Sequence, residues 1–133
     1  MGIGYQERWR RFDEAVRVLR ALLHGDPAGF EGEFHSTRGV RLEPRPAQRP
    51  GPPIWVASWG SPAGLRRVAR LGDGWLASAY NTTPERFAAA REQLPPGFPN
   101  ALGTMWTWVT EDRAERDGVL REVEAALLAV PKR

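Results

Sequence analysis

Residues 58 to 64 read Ser-Trp-Gly-Ser-Pro-Ala-Gly and stand between a short apolar run and an amphipathic helical pattern. Gly60 lets another molecule approach the backbone, and Ser61 brings a hydroxyl to a helix start whose first amides have no intrahelical partners. That chemistry suits an anion such as a phosphate. A purely local role is equally open on the residues alone: Ser61 as N-cap, Pro62 at the first helical position and Gly60 as a tight turn. The stretch is not the dinucleotide fingerprint, which needs Gly-x-Gly-x-x-Gly, and no Gly-Lys-Ser/Thr phosphate loop occurs anywhere in the chain.

Other chemistry-bearing residues are few. Tyr80 and Asn81 follow a second apolar run, where a loop faces ligand in any repeated strand-helix architecture, and are candidates for substrate or cofactor contact. His35 could serve as an acid or base but reads as a surface histidine, and His24 suits the negative end of a helix. Glu31 and Glu33 lie in a turn with no apolar pocket beside them and read as solvated. Trp9, Trp75, Trp106 and Trp108 read as packing residues, whereas Trp59 lies on the loop itself. There is no cysteine and there are two histidines, so thiolate chemistry and a His-rich metal site are excluded and no metal is expected. No nucleophile, acid or base stands out as catalytic.

The elements that must position these residues follow from periodicity. Residues 6 to 24 carry Trp9, Phe12, Val16, Leu19, Leu22 and Leu23 at three- and four-residue steps, which predicts a helix stopped by Gly25 and Pro27, with Asp13 and Arg17 paired on its wet face. Residues 28 to 53 read as a loop with a small Glu-Gly hairpin between Phe30 and Phe34, then a Pro-rich extended segment. Residues 54 to 130 read as three strand-helix units. Their strands are Ile54 to Ala57, Gly74 to Ala77 and Leu102 to Val109. Their helices start after Ser61, around Thr83-Pro84 and at Thr110, the last with Leu120, Val123, Leu127 and Val130 as its stripe. Repeated units of this kind predict an α/β fold with parallel strands and right-handed crossovers.

The chain has 133 residues, 41% hydrophobic and 26% charged, the composition of a single ordinary domain. No run is long and apolar enough to span a bilayer, and the N-terminal charges have no apolar stretch behind them, so a cytoplasmic protein without membrane contact is expected. The net charge of +3 comes from arginines interleaved with acidic residues, Lys132 being the single lysine, and this pattern predicts no nucleic-acid partner.

Four segments carry a resemblance: RFDEAVRVLRALLHGDPAGFEGEFH, LEPRPAQRPGPPIWVASWGSPAGLRRVARLGDGW, ASAYNTTPERF and ALGTMWTWVTED. Together they resemble the bacterial luciferase-like monooxygenase superfamily of flavin- and deazaflavin-dependent oxidoreductases over nearly the whole chain. The resemblance implies a TIM-like (β/α) barrel in which the loop from Ala57 to Ser61 passes the cofactor. It places the Ala57-Ser58 backbone alongside the ring, Gly60 and Ser61 on the phosphate, and Trp59 where relatives carry small residues. The implied cofactor is FMN or a deazaflavin coenzyme of the F420 type, and the implied reaction passes hydride or oxygen to a small organic substrate.

A complete barrel of this kind needs about 250 residues. The chain therefore reads as a partial barrel of about three units, with two open strand edges that call for self-association or a partner chain. The alternative is a non-catalytic half-barrel serving as a dimeric flavin-binding or structural module.

Overall fold

A computed structural model of the protein describes residues 2, 4–104 and 109–128. It divides at Gly103 into two compact units, Met1–Gly103 and Thr104–Arg133, which are described separately.

The first unit is a one-sided α/β layer. A single turn of 3-10 helix, Tyr5–Glu7, leads into α1, Arg8–His24; then follow β1, Trp55–Ala57; α2, Pro62–Leu71; β2, Gly74–Ser78; α3, Pro84–Arg91; and β3, Asn100–Gly103. The strands form one parallel sheet in the order β1-β2-β3, as crossover helices require. β3 starts two residues before the expected Leu102 because Trp75 N–H donates to Pro99 O at 2.9 Å and Trp75 stands beside Asn100, which starts the ladder there. Trp106 and Trp108 lie outside the described residues.

The apolar residues of α2 explain why the helix lies where it does. Leu65, Val68 and Leu71 are buried against Val56, Trp75 and Ala77 of the sheet, with Val16 of α1 and Ala90 of α3 closing the same core. Each fully buried Leu or Val contributes about 1.5–3 kcal/mol, more than any half-exposed ion pair on the surface. Ser61 caps the helix by accepting from Gly64 N–H at 3.2 Å, with Pro62 at its first position, as the sequence predicts. Gly25, at φ 70°, ends α1 in the left-handed conformation that glycine adopts without cost.

Three carboxylates orient α1. Asp13 accepts from Arg67 Nε at 2.7 Å and also from Arg70, both on α2, not from the expected Arg17. Two guanidinium groups on a neighbouring helix in a half-buried setting outcompete one exposed pair across a helical turn. Arg20 donates to Leu71 O at 2.8 Å and pairs with Asp73 at 3.1 Å, while Asp73 also accepts from Ile54 N–H at 2.8 Å and so marks the entry to β1. These contacts run in matching order along both helices, so α1 and α2 are parallel and their N-termini share one end of the unit. Trp9, expected in the core, is 47% exposed; it lies edge-on to Phe12 and beneath the Arg67 guanidinium at 4.2 Å.

The third carboxylate, Glu14, holds the loop. It is 7% exposed and accepts from the backbone N–H groups of Glu33 at 3.0 Å, Phe34 at 2.8 Å and His35 at 2.6 Å, with His35 Nδ1 at 3.1 Å. The expected hairpin forms around it, with Glu31 bridged to Ser36 and Thr37 N–H donating to Phe30 O at 2.8 Å. Gly32 is required there, because a Cβ would lie 2.5 Å from the Glu14 carboxyl carbon. Burial works to raise the pKa of Glu14, but the backbone donors and His35 outweigh it and hold the carboxyl below its ordinary value of 4.5.

The second unit contains α4, Arg113–Leu128. Its cap is Asp112 rather than Thr110: Asp112 Oδ1 accepts from Ala114 N–H at 2.8 Å and Glu115 N–H at 3.3 Å. Thr110, two residues earlier, accepts from Asp112 N–H at 3.1 Å. A carboxylate at that position also meets the helix dipole, which a neutral threonine does less well. On the expected stripe Leu120 is exposed and Val123 half-buried.

The sheet has a second face. Strand alternation turns Trp55, Ala57, Leu76 and Ala101 away from the helices, and Trp55 and Leu76 remain 42% and 40% exposed. An apolar face on a parallel sheet is the interior wall of a barrel. The architecture is that of a partial TIM-like barrel, open along the β1 and β3 edges of the first unit.

Because the Glu14 carboxyl is more acidic in the folded state, its contribution is complete above its ordinary value and is lost as pH falls through the lower folded value. The thermal midpoint of the wild type is therefore expected to exceed that of Glu14→Gln at neutral pH, with the gap closing as pH drops below about 4.5. Amide exchange at Glu33, Phe34 and His35 should quicken in the variant. A gap that stays constant to about pH 3 would remove the carboxylate from this role.

Candidate functional site

Parallel pairing puts the C-terminal ends of β1 and β2 on the same edge, so the two candidate loops leave the sheet side by side. The first runs from Ala57 to Ser61. The second begins as a short 3-10 turn, Ala79–Asn81, directly after β2. Such an edge is where α/β proteins bind ligands, because there the helix N-termini and loop backbones converge.

Ser58 is the fixed point of the first loop. Its N–H donates to Leu76 O at 3.2 Å, its carbonyl accepts from the indole N–H of Trp75 at 3.0 Å, and its hydroxyl accepts from Gly60 N–H at 3.3 Å. Its backbone N–H and carbonyl are thereby committed within the protein. Gly64 belongs to the same arrangement, since a Cβ there would stand 2.3 Å from the Ser58 hydroxyl oxygen.

The groups after Ser58 are the ones turned outward. Ala57 is exposed and Trp59 is 75% exposed. Gly60 has φ 86°, a left-handed backbone that L residues rarely adopt. Ser61 accepts from Gly64 N–H, which leaves its own O–H to donate outward. Pro62 has no amide hydrogen, so the amides at this helix start that lack intrahelical acceptors are those of Ser61 and Ala63. The arrangement offers an anion one hydroxyl and two amides at the positive end of a ten-residue helix.

In the second loop Tyr80 and Asn81 are exposed, and Asn81 Nδ2 donates to Ser78 Oγ at 3.3 Å. Asn81 is thus oriented by the last residue of β2. His35 lies elsewhere, committed through Nδ1 to Glu14 on the flank of α1. Glu31 and Glu33 are exposed as expected and pair with Arg38 and Arg10. No cluster of His, Asp and Glu able to hold a metal ion occurs among the described residues.

Two contributors escape a reading of motifs. Trp75 reads as packing, yet its N–H reaches the loop. Glu14 sits at a step of helix α1 between stripe residues, and the available signal was the pairing of a mid-helix Glu with a Glu-Gly-Glu turn about twenty residues later.

Comparison with known proteins agrees with this geometry. The sequence profile of the luciferase-like monooxygenase family matches residues 1–101. An F420-dependent glucose-6-phosphate dehydrogenase from Rhodococcus erythropolis is 37% identical over 75 residues, which is 56% of this chain and 21% of that protein. A 5,10-methylenetetrahydromethanopterin reductase from Archaeoglobus fulgidus is 32% identical over 101 residues, 76% of this chain and 29% of that protein. Among solved structures, the monooxygenase RslO1 from Streptomyces bottropensis superposes with a TM-score of 0.72 at 27% identity, over 96% of this chain and 42% of that one. The chain thus spans well under half the length of these relatives.

Gly60→Ala should cost about 1–2 kcal/mol in urea unfolding through backbone strain alone, since the nearest atom to the added Cβ is 3.6 Å away and does not clash. An unchanged midpoint would show that the turn is free to relax. The match of the profile, the open parallel sheet and the strand-to-helix turn at its C-terminal edge together place this chain in the luciferase-like monooxygenase family.

Proposed function

We propose that this chain forms the central, cofactor-side part of a deazaflavin-dependent oxidoreductase that acts on a small organic substrate. The observation that carries the proposal is the outward-turned Gly60-Ser61 corner with its free hydroxyl and amides. The F420 cofactor is favoured over FMN because relatives are named for it, including an F420-dependent hydroxymycolic acid dehydrogenase from Mycobacterium tuberculosis that is 36% identical over 86 residues.

The residues present fit a phosphorylated ring cofactor. Ser61 would donate its hydroxyl to a phosphate oxygen, and the amides of Ser61 and Ala63 would complete the cradle. Gly60 admits the ligand to the backbone. Ala57 and the bare apolar wall of Trp55 and Leu76 offer a flat, dry surface to a ring, and Trp59 can shield it from water. The backbone polar groups of Ser58 are committed to Leu76 and Trp75, so Ser58 would act on the cofactor by holding Trp59 and Gly60 in place. Tyr80 and Asn81 would present a phenol and an amide to substrate or cofactor from the neighbouring loop. When bound, the deazaflavin supplies hydride chemistry, which the protein orients and shields.

Titration of the full chain with F420, and in parallel with FMN, should show saturable binding of F420 that inorganic phosphate weakens. Ser61→Asp should weaken F420 and FMN far more than riboflavin, because the new charge opposes the phosphate and not the ring. Equal losses for all three would remove the phosphate assignment. The bare sheet face and the open edges further suggest association, so light scattering at micromolar concentration should give at least a dimer mass. Dimerisation with no binding of either cofactor would favour a structural half-barrel instead.

A further inference from the structure

Trp75 is the largest fully buried side chain among the described residues, at 1% exposure, and it does more than fill the core. Its Cα pairs with Val56, yet its indole N–H reaches two residues further along the chain, just past the end of β1, to the carbonyl of Ser58 at 3.0 Å. The far edge of the ring lies beneath the turn, with Cζ2 3.8 Å from the position a Cβ would take on Gly60. On its other side Phe87 of α3 stacks on the ring, centroids 5.2 Å apart at 22°. One rigid side chain therefore touches the first loop through a hydrogen bond and the helix after the second loop through a ring face.

We infer that Trp75 is the positioning residue of the cofactor loop: its indole N–H sets the Ser58 carbonyl, and with it the Trp59-Gly60-Ser61 corner. This inference rests on the proposed cofactor role of that corner for its functional consequence, but not for its structural one. The physical reason is that Ser58 begins a turn whose next residues have few partners. Its N–H and hydroxyl bonds, at 3.2 and 3.3 Å, are longer than the indole bond. Without the indole donor the half-buried carbonyl loses its partner, and the peptide plane between Ser58 and Trp59 can rotate toward solvent to recover one. Rotation there re-aims Gly60 N–H and the Ser61 hydroxyl. Phe87 keeps the ring from following.

Site-specific replacement of Trp75 by benzothienylalanine removes the N–H and preserves the shape of the ring. Phe87→Leu does the reverse, keeping the donor and losing the stacked ring. In the uncomplexed full chain, the benzothienyl variant should exchange its Gly60 amide, which is bonded to the Ser58 hydroxyl, at least about tenfold faster, with a thermal midpoint close to that of the wild type. Phe87→Leu should lower the midpoint with a smaller change in that amide. F420 should bind the benzothienyl variant about tenfold more weakly, with riboflavin less affected. Unchanged amide exchange in the benzothienyl variant would overturn the inference, whereas faster exchange with F420 affinity intact would overturn the cofactor role of the corner and leave its positioning by Trp75 standing. If the wild-type chain binds no F420 and exchange still quickens, the positioning role stands and the cofactor reading of the corner falls.

Discussion

Two parallel strands cannot be joined by a tight turn, so the chain between β1 and β2 must cross over, and α2 is that crossover. Its geometry constrains the rest of the first unit. The helix has to bury Leu65, Val68 and Leu71 on the sheet, which fixes its axis, and it has to begin immediately after β1, which leaves four residues, Ser58 to Ser61, for the corner. So short a link between a strand and an antiparallel helix needs a left-handed residue, and Gly60 supplies it. A helix N-terminus exposed at the C-terminal edge of the strands is a consequence of this connection.

Polar contacts then register the outer layer on this frame. Asp13, Arg20 and Asp73 connect α1 to α2 and to the entry of β1, and Glu14 connects α1 to the hairpin. Burial works to raise the pKa values of Asp13, Glu14 and Asp73, yet all three are lowered, because each carboxylate meets guanidinium or amide donors. Most of these pairs are half-exposed and add little net stability. Their effect is directional: they decide how α1 lies along α2 and where the long loop rests, while the apolar core decides that the helices pack at all.

The opposite face of the sheet tells a complementary story. Trp55, Ala57, Leu76 and Ala101 are apolar and uncovered in the first unit, as the inner wall of a barrel would be if its remaining strands were supplied elsewhere. The relatives are more than twice as long as the matched region, which is consistent with that reading of the face. The same wall offers the apolar surface that the proposed ring cofactor would use.

Periodicity and punctuation in the sequence were enough to place α1, β1, α2, β2 and α3, because their signals are local: apolar residues at helical steps, Ser61-Pro62 and Thr83-Pro84 at helix starts, Gly25 at a helix end. The family was legible for the same reason, in ordered runs of residues around the corner at Gly60. Where local signals compete, distance decided. Asp13 turned from Arg17 to α2, β3 began at Asn100 because Trp75 draws the Pro99 carbonyl to it, and Asp112 displaced Thr110 as a cap by offering a charge to two amides. The sequence by itself determined the alternation of strands and helices and the residue types at the corner. Only the tertiary structure decided that Glu14 would hold the hairpin and that the Trp75 indole would hold Ser58, because a hydrogen bond across 17 or 21 residues depends on where packing brings its two ends.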